Sequence, residues 1–131
     1  MVNWDNKKYK QECDKLFSRY IRMRDGECKI RGLDNIPCIG GLEAMHIIRR
    51  GKLRLRYDVN NGLAGCHNHH SYYTNHPYLW RDLMQKEFSK RYYLIRQNEE
   101  RLKTYIDWED TARSLAILVG DLRSSFVNEP C

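Results

Sequence analysis

The chain has 131 residues, a formal net charge of +6 and a mean hydropathy of −0.78. A chain of this length is expected to form one domain with a modest core, and no run reaches the roughly 18 apolar residues of a membrane helix, which argues against a membrane partner. The basic balance favours an anionic partner such as nucleic acid.

The first half of the chain is predicted to hold one long helix followed by an irregular segment. Apolar residues at helical spacing predict a helix over the first two dozen residues, and they are Tyr9, Cys13, Leu16, Phe17, Tyr20 and Ile21. We expect this helix to end at Asp25–Gly26, where glycine can adopt the left-handed cap. From Glu27 to Gly65 the pattern is irregular, with Leu42 to Ile48 predicted as a strand that pairs with a neighbour around Pro37 to Ile39.

The second half of the chain is predicted to be helical. A helix can begin at Cys66 and is expected to be interrupted before Pro77. Tyr78 to about Gln97 is predicted as another helix, and Asp107 is suited to cap the last one. Apolar stripes mark these last two helices, with Leu79, Leu83, Met84, Phe88 and Tyr92 in the first and Trp108, Ala112, Leu115, Val119, Leu122 and Phe126 in the second. The stripe leaves open whether the last helix completes the core or forms an interface.

The cysteines of this chain point to a metal site. The segment Met1 to Lys10 is too polar for a signal peptide, so we expect a cytoplasmic protein, where disulfides rarely persist. Five cysteines in such a compartment are typical of metal ligation. Cys66 and His69 have the C-x2-H spacing with which two side chains of a tight turn reach one zinc ion, and Cys28 and Cys38 would supply the other half of a tetrahedral site.

Two features of this quartet leave alternatives open. Nine residues separate Cys28 from Cys38, which exceeds the usual spacing of about two to four, so the intervening loop must fold back on itself. His67 could replace His69 as a ligand, although its spacing from Cys66 is less suitable. Four unrelated thiol and imidazole groups are the other interpretation, but a segment with so few apolar residues needs a cross-link to be stable, and that favours zinc.

A second set of polar residues surrounds the quartet. His46 lies at the end of the predicted strand, Asn61 follows in the next segment, and His70 comes directly after the last zinc ligand. This order of His, Asn and His around a cysteine pair resembles the signature of the HNH endonucleases. The resemblance implies a ββα-metal fold in which the first His ends one strand of a hairpin, the Asn lies in the intervening loop and the last His begins the helix.

The resemblance also implies the hydrolysis of phosphodiester bonds. Neutral imidazole is a suitable general base near pH 7, which is the role expected of His46. The amide of Asn61 would fix the orientation of that imidazole, and one divalent metal would relieve charge on the phosphate and the leaving oxygen. A lone histidine is more often an ordinary surface or core residue, but three polar positions in the expected order favour function.

Two further segments narrow the resemblance to the NinG/Rap recombination endonucleases of lambdoid phages. The segment Cys13 to Asp25 looks like the helix that precedes the zinc site in that family. The run Leu55 to Asp58, followed by Asn61 and then Cys66, is similar to the family's LRF(N/D)…N…QC segment and has the same spacing. The resemblance covers about Cys13 to Tyr78.

Some positions depart from these families. Where the NinG-like proteins have two asparagines after the second cysteine, this chain has His70 and His76, which the resemblance makes candidate ligands of a catalytic Mg²⁺ or Mn²⁺. Many HNH enzymes carry Asp or His just before the base, whereas this chain has Met45 and the NinG-like proteins have Gly. His69 stands where Cys is usual, and imidazole can take that place on zinc. Junction cutting uses two active sites, so the resemblance is also consistent with a homodimer.

A basic segment follows the candidate base directly. Its five cations fall within eight residues, and they are Arg49, Arg50, Lys52, Arg54 and Arg56. A solvated charge run without a ligand is the ordinary explanation of such a segment. Its position beside His46 favours contacts with a DNA backbone, which would hold the DNA in place without reading its sequence.

Taken together, the sequence predicts an α+β fold with a small zinc-stabilised ββα-metal (HNH) core. The single nuclease domain, residues 1–131, would consist of an N-terminal helix (1–25), the zinc-bound ββα core (26–77) and C-terminal helices (78–131). The predicted function is a metal-dependent DNA endonuclease of phage recombination acting on branched or Holliday-junction DNA, in the host cytoplasm if the chain is phage-encoded. The alternatives are a non-catalytic zinc-finger DNA-binding module, which Met45 makes credible, and an RNA-binding or protein-interaction domain.

Overall fold

The fold combines helices with one small sheet. The structure is a computed structural model that describes residues 6–49, 53–101 and 106–127. In chain order the elements are α1 (Asn6–Asp25), β1 (Leu42–His46), α2 (Leu53–Arg56), a 3₁₀ helix (Val59–Asn61), β2 (Gly62–Cys66), α3 (His67–Asn75), α4 (Pro77–Glu87), α5 (Ser89–Arg101) and α6 (Trp108–Val127). The predicted α+β class is confirmed. No helix within the described ranges has the length and apolar character needed to cross a membrane.

The first helix forms as predicted and packs one face on the sheet. Cys13, Phe17 and Ile21 recur every four residues and are at most 2% exposed, as expected for the buried stripe of an amphipathic helix. The helix ends at Asp25, and Gly26 follows with a φ of 72°. Glycine adopts this left-handed conformation without strain, so it ends the helix where the sequence suggested.

Arg24 and Asp25 fix the end of α1 to the second strand. The guanidinium of Arg24 donates to the carbonyl oxygens of Val59 and Gly62, both at 2.7 Å. The carboxylate of Asp25 accepts from the backbone N–H of Ala64 at 2.9 Å and pairs with Nε of Arg24 at 2.9 Å. Because the Asp25 side chain is only 8% exposed, these bonds form in a partly desolvated environment and set the position of α1 over the strands.

The sheet is a two-stranded hairpin whose pairing differs from the predicted one. β1 pairs with β2 in antiparallel register, with His46 opposite Gly62, so the expected pairing with a strand around Pro37 to Ile39 is wrong. β2 has two glycines and no β-branched residue, and such a composition gives little strand signal in the sequence. A small residue is required at Gly62, because a Cβ there would lie 2.8 Å from the Phe17 ring of α1.

The segment that ends at Gly41 caps the N-terminus of α3 instead of forming a strand. The carbonyl oxygen of Ile39 accepts from the backbone N–H of Asn68 at 3.0 Å, and that of Gly41 accepts from His67 at 2.9 Å. The first N–H groups of a helix have no partner within the helix, so this segment satisfies donors that would otherwise stay open. Pro37 also lacks an N–H for a strand ladder.

The helices of the second half agree with the predictions except in two places. α3 begins after its N-cap Cys66, and α6 begins after Asp107, whose carboxylate caps the helix. The single helix expected from Tyr78 to about Gln97 is divided at Phe88, which has a φ of −130° and a ψ of 40°. Leu79, which was expected on the buried side, is 48% exposed.

Two apolar clusters lie on the two faces of the sheet, because successive residues of a strand point to opposite sides. The first cluster consists of Ile30, Met45, Ile47, Leu55, Leu63, Tyr73, Trp80, Met84, Tyr92 and Ile95. The second consists of Cys13, Phe17, Ile21, Tyr57, Ala64, Ala112 and Leu115. The face of α6 that carries Ala112 and Leu115 is therefore buried against α1, so this stripe completes the core. A homodimer stays a prediction.

Candidate metal centre and adjoining cleft

The four predicted zinc ligands lie together. Nδ1 of His69 is 3.1 Å from Sγ of Cys66, 3.5 Å from Sγ of Cys28 and 3.6 Å from Sγ of Cys38, and all four ligand atoms lie within 4.8 Å of one another. Zinc bonds of about 2.3 Å to sulfur and about 2.0 Å to nitrogen separate these atoms by roughly 3.5 Å in a tetrahedron. The donor set and its spacing therefore fit a metal ion such as zinc.

Two segments distant in sequence bring these ligands together. Cys66 ends β2 and His69 follows in the first turn of α3, where the His69 N–H points at the Cys66 sulfur at 3.4 Å. Cys28 and Cys38 begin and end a loop that folds back through a turn, with Gly32 at a φ of 82°. The N–H of Lys29 donates to the Ala64 carbonyl at 2.8 Å, which fixes the start of this loop to β2.

Asp34 completes the surroundings of the metal centre, and the sequence reasoning did not identify it. Its Oδ1 lies 2.9 Å from Nε2 of His69 and also accepts from the backbone N–H of Ile36. Its Oδ2 accepts from the hydroxyl of Tyr73. The available signal was an acidic residue inside the loop between two cysteine ligands. His67, the alternative ligand, instead directs Nδ1 to Glu43 at 2.9 Å.

The electrostatics of the centre favour a cation. Burial raises the pKa of the Cys66 thiol, but the N–H groups of His69 and Ile39 stabilise the thiolate and lower this pKa to about 6. Burial also raises the pKa of Asp34, whereas hydrogen bonds from Tyr73 and His69 lower it below its ordinary value. In contrast, burial and the neighbouring Cys28 and Cys66 thiols raise the pKa of the Cys38 thiol to about 11, so a metal ion that binds here must displace the proton of that ligand.

His46 lies at the end of β1, as predicted, and the structure defines its ring. Nε2 is 2.8 Å from the carbonyl oxygen of Arg56, and because a carbonyl only accepts, this nitrogen carries a hydrogen. In the neutral ring the lone pair is therefore on Nδ1. The ring stacks on Phe17 with centroids 4.9 Å apart and planes inclined by 7°, so its orientation is fixed from two sides.

Asn61 is fully buried and its side chain bonds to the backbone of the loop between the strands. Oδ1 accepts from the N–H of Ile48 at 2.8 Å, and Nδ2 donates to the carbonyls of Ile48 and Leu55 at 2.9 and 3.0 Å. The next carbonyl after Leu55 is that of Arg56, which bonds to His46. Asn61 therefore acts on the His46 ring indirectly, by holding the loop backbone next to the Arg56 carbonyl that bonds to this ring.

The two histidines proposed to hold a catalytic metal have other partners. Nδ1 of His70 is 2.8 Å from the Glu43 carboxylate, and Nδ1 of His76 is 2.8 Å from the Tyr72 carbonyl. Within the described part of the chain, the residues that could hold a metal as a group of three or more are those of the Cys₃His cluster, to which His70 and His76 do not belong. The pairing of His70 with His76 on one ion stays a prediction.

A cleft of about 670 Å³ adjoins the metal centre. The candidate base His46 and the α3 residue His70 both line it, and the full set of lining residues is Met45, His46, Arg49, His70, Tyr73, Thr74 and Trp80. The indole Nε1 of Trp80 donates to the carbonyls of His46 and Ile47, both at 3.1 Å, so α4 supports the end of β1. The cleft opens to solvent.

The basic segment divides into residues with different surroundings. Arg49 is exposed and lines the cleft. Arg56 instead forms a bidentate ion pair with Asp14, with both bonds at 2.9 Å, and its side chain is 13% exposed. Arg56 is thus partly buried and engaged in an ion pair within the fold, and its contact with DNA stays a prediction. Arg50, Lys52 and the side chain of Arg54 lie outside the described residues.

Comparison of this chain with protein-family models, with curated proteins and with solved structures gives no match. The likeness to the HNH endonucleases therefore rests on the residues quoted above. The structure shows an α+β fold with a Cys₃His cluster that could hold a metal ion, and an HNH core stays a prediction.

Proposed function

We propose that this chain is a metal-dependent DNA endonuclease of the HNH type. The observation that carries the proposal is that His46 and His70 line one cleft, whose wall also includes Tyr73, a ring neighbour of the candidate ligand His69. His46 ends the first strand and His70 lies early in the helix that follows the second strand. General base and phosphate-binding groups must converge on one open site to cleave a phosphodiester, and these two histidines meet that requirement.

His46 is the general base in this proposal. Its Nε2 hydrogen is held by the Arg56 carbonyl, which leaves Nδ1 as the basic atom of the neutral ring. Nδ1 would remove a proton from the water that attacks phosphorus, and the carbonyl would stabilise the imidazolium that forms. The stacked Phe17 ring limits rotation of the imidazole, so the base would be oriented before the substrate binds.

Two metals have different roles in the proposal. Zinc on Cys28, Cys38, Cys66 and His69 would be structural, because it would join the loop before β1 to the end of β2 and the start of α3. A catalytic Mg²⁺ or Mn²⁺ would supply charge relief at the phosphate. His70 is its proposed ligand through Nε2, because the Glu43 carboxylate accepts the hydrogen of Nδ1 at 2.8 Å and would orient the ring. His76 could contribute only Nε2 in its neutral form, because its Nδ1 donates to Tyr72.

The proposed DNA surface begins at Arg49, an exposed cation in the cleft wall. The sequence has three more cations shortly after Arg49, and we assign them to the same surface: Arg50, Lys52 and Arg54. Each phosphate contact would make binding more sensitive to salt, because it releases a condensed counterion. The NinG/Rap likeness suggests branched DNA of phage recombination as the substrate, and a homodimer would bring two active sites to a junction.

The test is a cleavage assay with matched histidine variants. Supercoiled plasmid and a four-way junction are incubated with the protein in Mg²⁺, in Mn²⁺ and in a chelator. We expect metal-dependent nicking that falls by a factor of at least about 100 in His46→Ala, the lower end of what a general base contributes. His67→Ala is the control, since His67 also bonds to Glu43 but does not line the cleft, and it should keep its activity.

The zinc content and circular dichroism of each variant separate a loss of chemistry from a loss of folding. Nicking that His46→Ala leaves unchanged would mean a different base or a contaminating enzyme, and the proposal would be withdrawn. DNA binding without any nicking would favour the non-catalytic zinc-finger module. That rival gains support from Met45, which is 3% exposed and stands where many HNH enzymes carry a metal ligand. Tight RNA binding without cleavage, in a competition titration, would favour an RNA-binding domain.

A further inference from the structure

Asp34 contacts the metal centre without belonging to its four candidate ligands. It lies in the loop between Cys28 and Cys38, and its carboxylate contacts His69 of the other ligand pair. We propose that Asp34 is a positioning residue of the metal centre, which holds the His69 ring so that Nδ1 faces the three sulfurs and raises the affinity for the metal. This inference does not depend on the nuclease proposal.

The contact with Asp34 determines which nitrogen of the His69 imidazole carries the hydrogen. An ionised carboxylate only accepts hydrogen bonds, so the 2.9 Å contact between Oδ1 of Asp34 and Nε2 of His69 requires a hydrogen on Nε2. The lone pair of the neutral ring is then on Nδ1, which is the atom that lies 3.1 Å from the Cys66 sulfur. Asp34 thus selects the tautomer that can bind the metal at this place.

The carboxylate of Asp34 is itself held in position by two other groups. Oδ1 accepts from the Ile36 N–H at 3.0 Å, and Oδ2 accepts from the Tyr73 hydroxyl. Tyr73 lies one helical turn after His69, and the two rings are nearly parallel, at 8°, with centroids 6.4 Å apart. The carboxylate is therefore held from its own loop and from α3, so it can orient the imidazole rather than follow it.

The hydrogen bond between Asp34 and His69 is largely shielded from water. The side chain of His69 is 0% exposed and that of Asp34 is 14% exposed, so water competes little for this hydrogen bond. A carboxylate on the far nitrogen of a ligating histidine makes the ring a stronger donor, and loss of such a partner weakens metal binding by about 10- to 100-fold. The hydrogen bond between Asp34 and His69 also joins the Cys28–Cys38 loop to the second ligand pair, so the metal would not be the sole link between them.

The experiment measures zinc affinity by competition with a chromophoric chelator. Asp34→Ala is expected to bind zinc about 10- to 100-fold more weakly than the wild type, with Asp34→Asn in between because an amide oxygen can still accept from Nε2. Asp82→Asn is the matched control, since Asp82 is a 62% exposed acid beside Arg81, and its affinity should be unchanged. Unchanged affinity in both Asp34 variants would overturn the proposal.

A second measurement on the zinc-loaded wild type keeps the test decisive if the variants do not fold. Nitrogen-15 spectra of the histidine ring should give His69 a metal-bound Nδ1 and a protonated Nε2 whose hydrogen exchanges slowly. In Asp34→Ala that hydrogen should exchange faster, an effect that a purely structural role in the loop would not produce. Zinc on Nε2 of the wild-type ring, with the hydrogen on Nδ1, would also overturn the proposal.

Discussion

Arg56 and Asp14 form a bidentate ion pair, with two bonds of 2.9 Å between the guanidinium and the carboxylate. The pair joins α2 to the middle of α1. The backbone carbonyl of the same arginine accepts the Nε2 hydrogen of His46 at 2.8 Å. The side chain of Arg56 thus anchors a structural element, and its main chain orients the candidate base.

Loss of the ion pair between Arg56 and Asp14 should lower the stability of the fold and also disturb the orientation of the His46 ring. The carboxylate of Asp14 is 40% exposed, so solvent screening limits its contribution, and we expect Asp14→Asn to lower the free energy of unfolding by about 1 kcal/mol. Denaturant titration measures this change, and a double-mutant cycle with Arg56→Ala measures the coupling. Tyr57→Phe is a control that removes only the 2.7 Å bond from the tyrosine hydroxyl to Asp14. Additive effects of the two substitutions would contradict an energetic role for the pair.

Asp25 should make stability depend on pH. Burial raises the pKa of this carboxyl, but hydrogen bonds from Arg24 and the Ala64 N–H outweigh it and hold the pKa below its ordinary 3.8. A carboxyl with a lowered pKa in the folded state stabilises the fold fully above its unfolded pKa, and this contribution is lost as the pH falls through the folded value. We therefore expect Asp25→Asn to be less stable than the wild type by about 1–3 kcal/mol at pH 7.

The comparison across pH isolates Asp25 from the metal ligands, which also protonate in acid. The difference in unfolding free energy between wild type and Asp25→Asn should be constant from pH 7 down to about pH 5 and should then shrink. Chemical denaturation at each pH provides the measurement. A difference that does not change on acidification would show that the charge of Asp25 contributes nothing to the clamp at the end of α1.

Asn61 should be a stability residue whose loss also affects the proposed chemistry. Its three side-chain bonds satisfy the N–H and carbonyl of Ile48 and the carbonyl of Leu55. Asn61→Ala leaves these backbone groups without that partner in a buried place, which is expected to cost about 2–3 kcal/mol. Asn60→Ala changes an exposed neighbour and should cost less than about 0.5 kcal/mol. Equal midpoints of unfolding for the two variants would contradict this assignment.

The parts of the fold that the sequence predicted well are those with a simple local cause. The spacing of Cys13, Phe17 and Ile21 was sufficient for α1, and an aspartate cap with an apolar stripe was sufficient for α6. β2 gave no such signal, because its burial depends on α1 packing over glycine rather than on strand propensity. Its pairing with β1 was not predicted, since β1 was expected to pair with a strand around Pro37 to Ile39.

The candidate site shows the same division between local and tertiary causes. The C-x2-H spacing of Cys66 and His69 is local, and it identified half of the metal ligands from the chain alone. The contact of Asp34 with His69 spans 35 residues, and the pairing of Arg56 with Asp14 spans 42. No periodic pattern encodes contacts at such separations, so the sequence indicated the charge of Arg56 but not its ion pair with Asp14.

Removal of the metal should unfold the loop between Cys28 and Cys38 before the helices. This loop contributes Ile30, which is fully buried, and the partly buried Ile36 to the core, and so small an apolar area cannot by itself offset the entropy of ordering the loop. A strong chelator is expected to lower the midpoint of thermal unfolding by at least about 10 °C, since metal binding energy is folding energy in small metal sites. Amide hydrogen exchange should increase first in residues 28–38.

Metal analysis of cysteine variants completes this test. Wild-type protein should hold one zinc per chain, and Cys38→Ser should lose it on dialysis because the site falls to three ligands. Cys13→Ala is the matched control, since Cys13 is a buried thiol that bonds to the Trp108 carbonyl and does not belong to the cluster. If Cys38→Ser kept one zinc and Cys13→Ala lost it, the assignment of the two thiols would be reversed. Only a cysteine that binds the ion can change the zinc stoichiometry without unfolding the core.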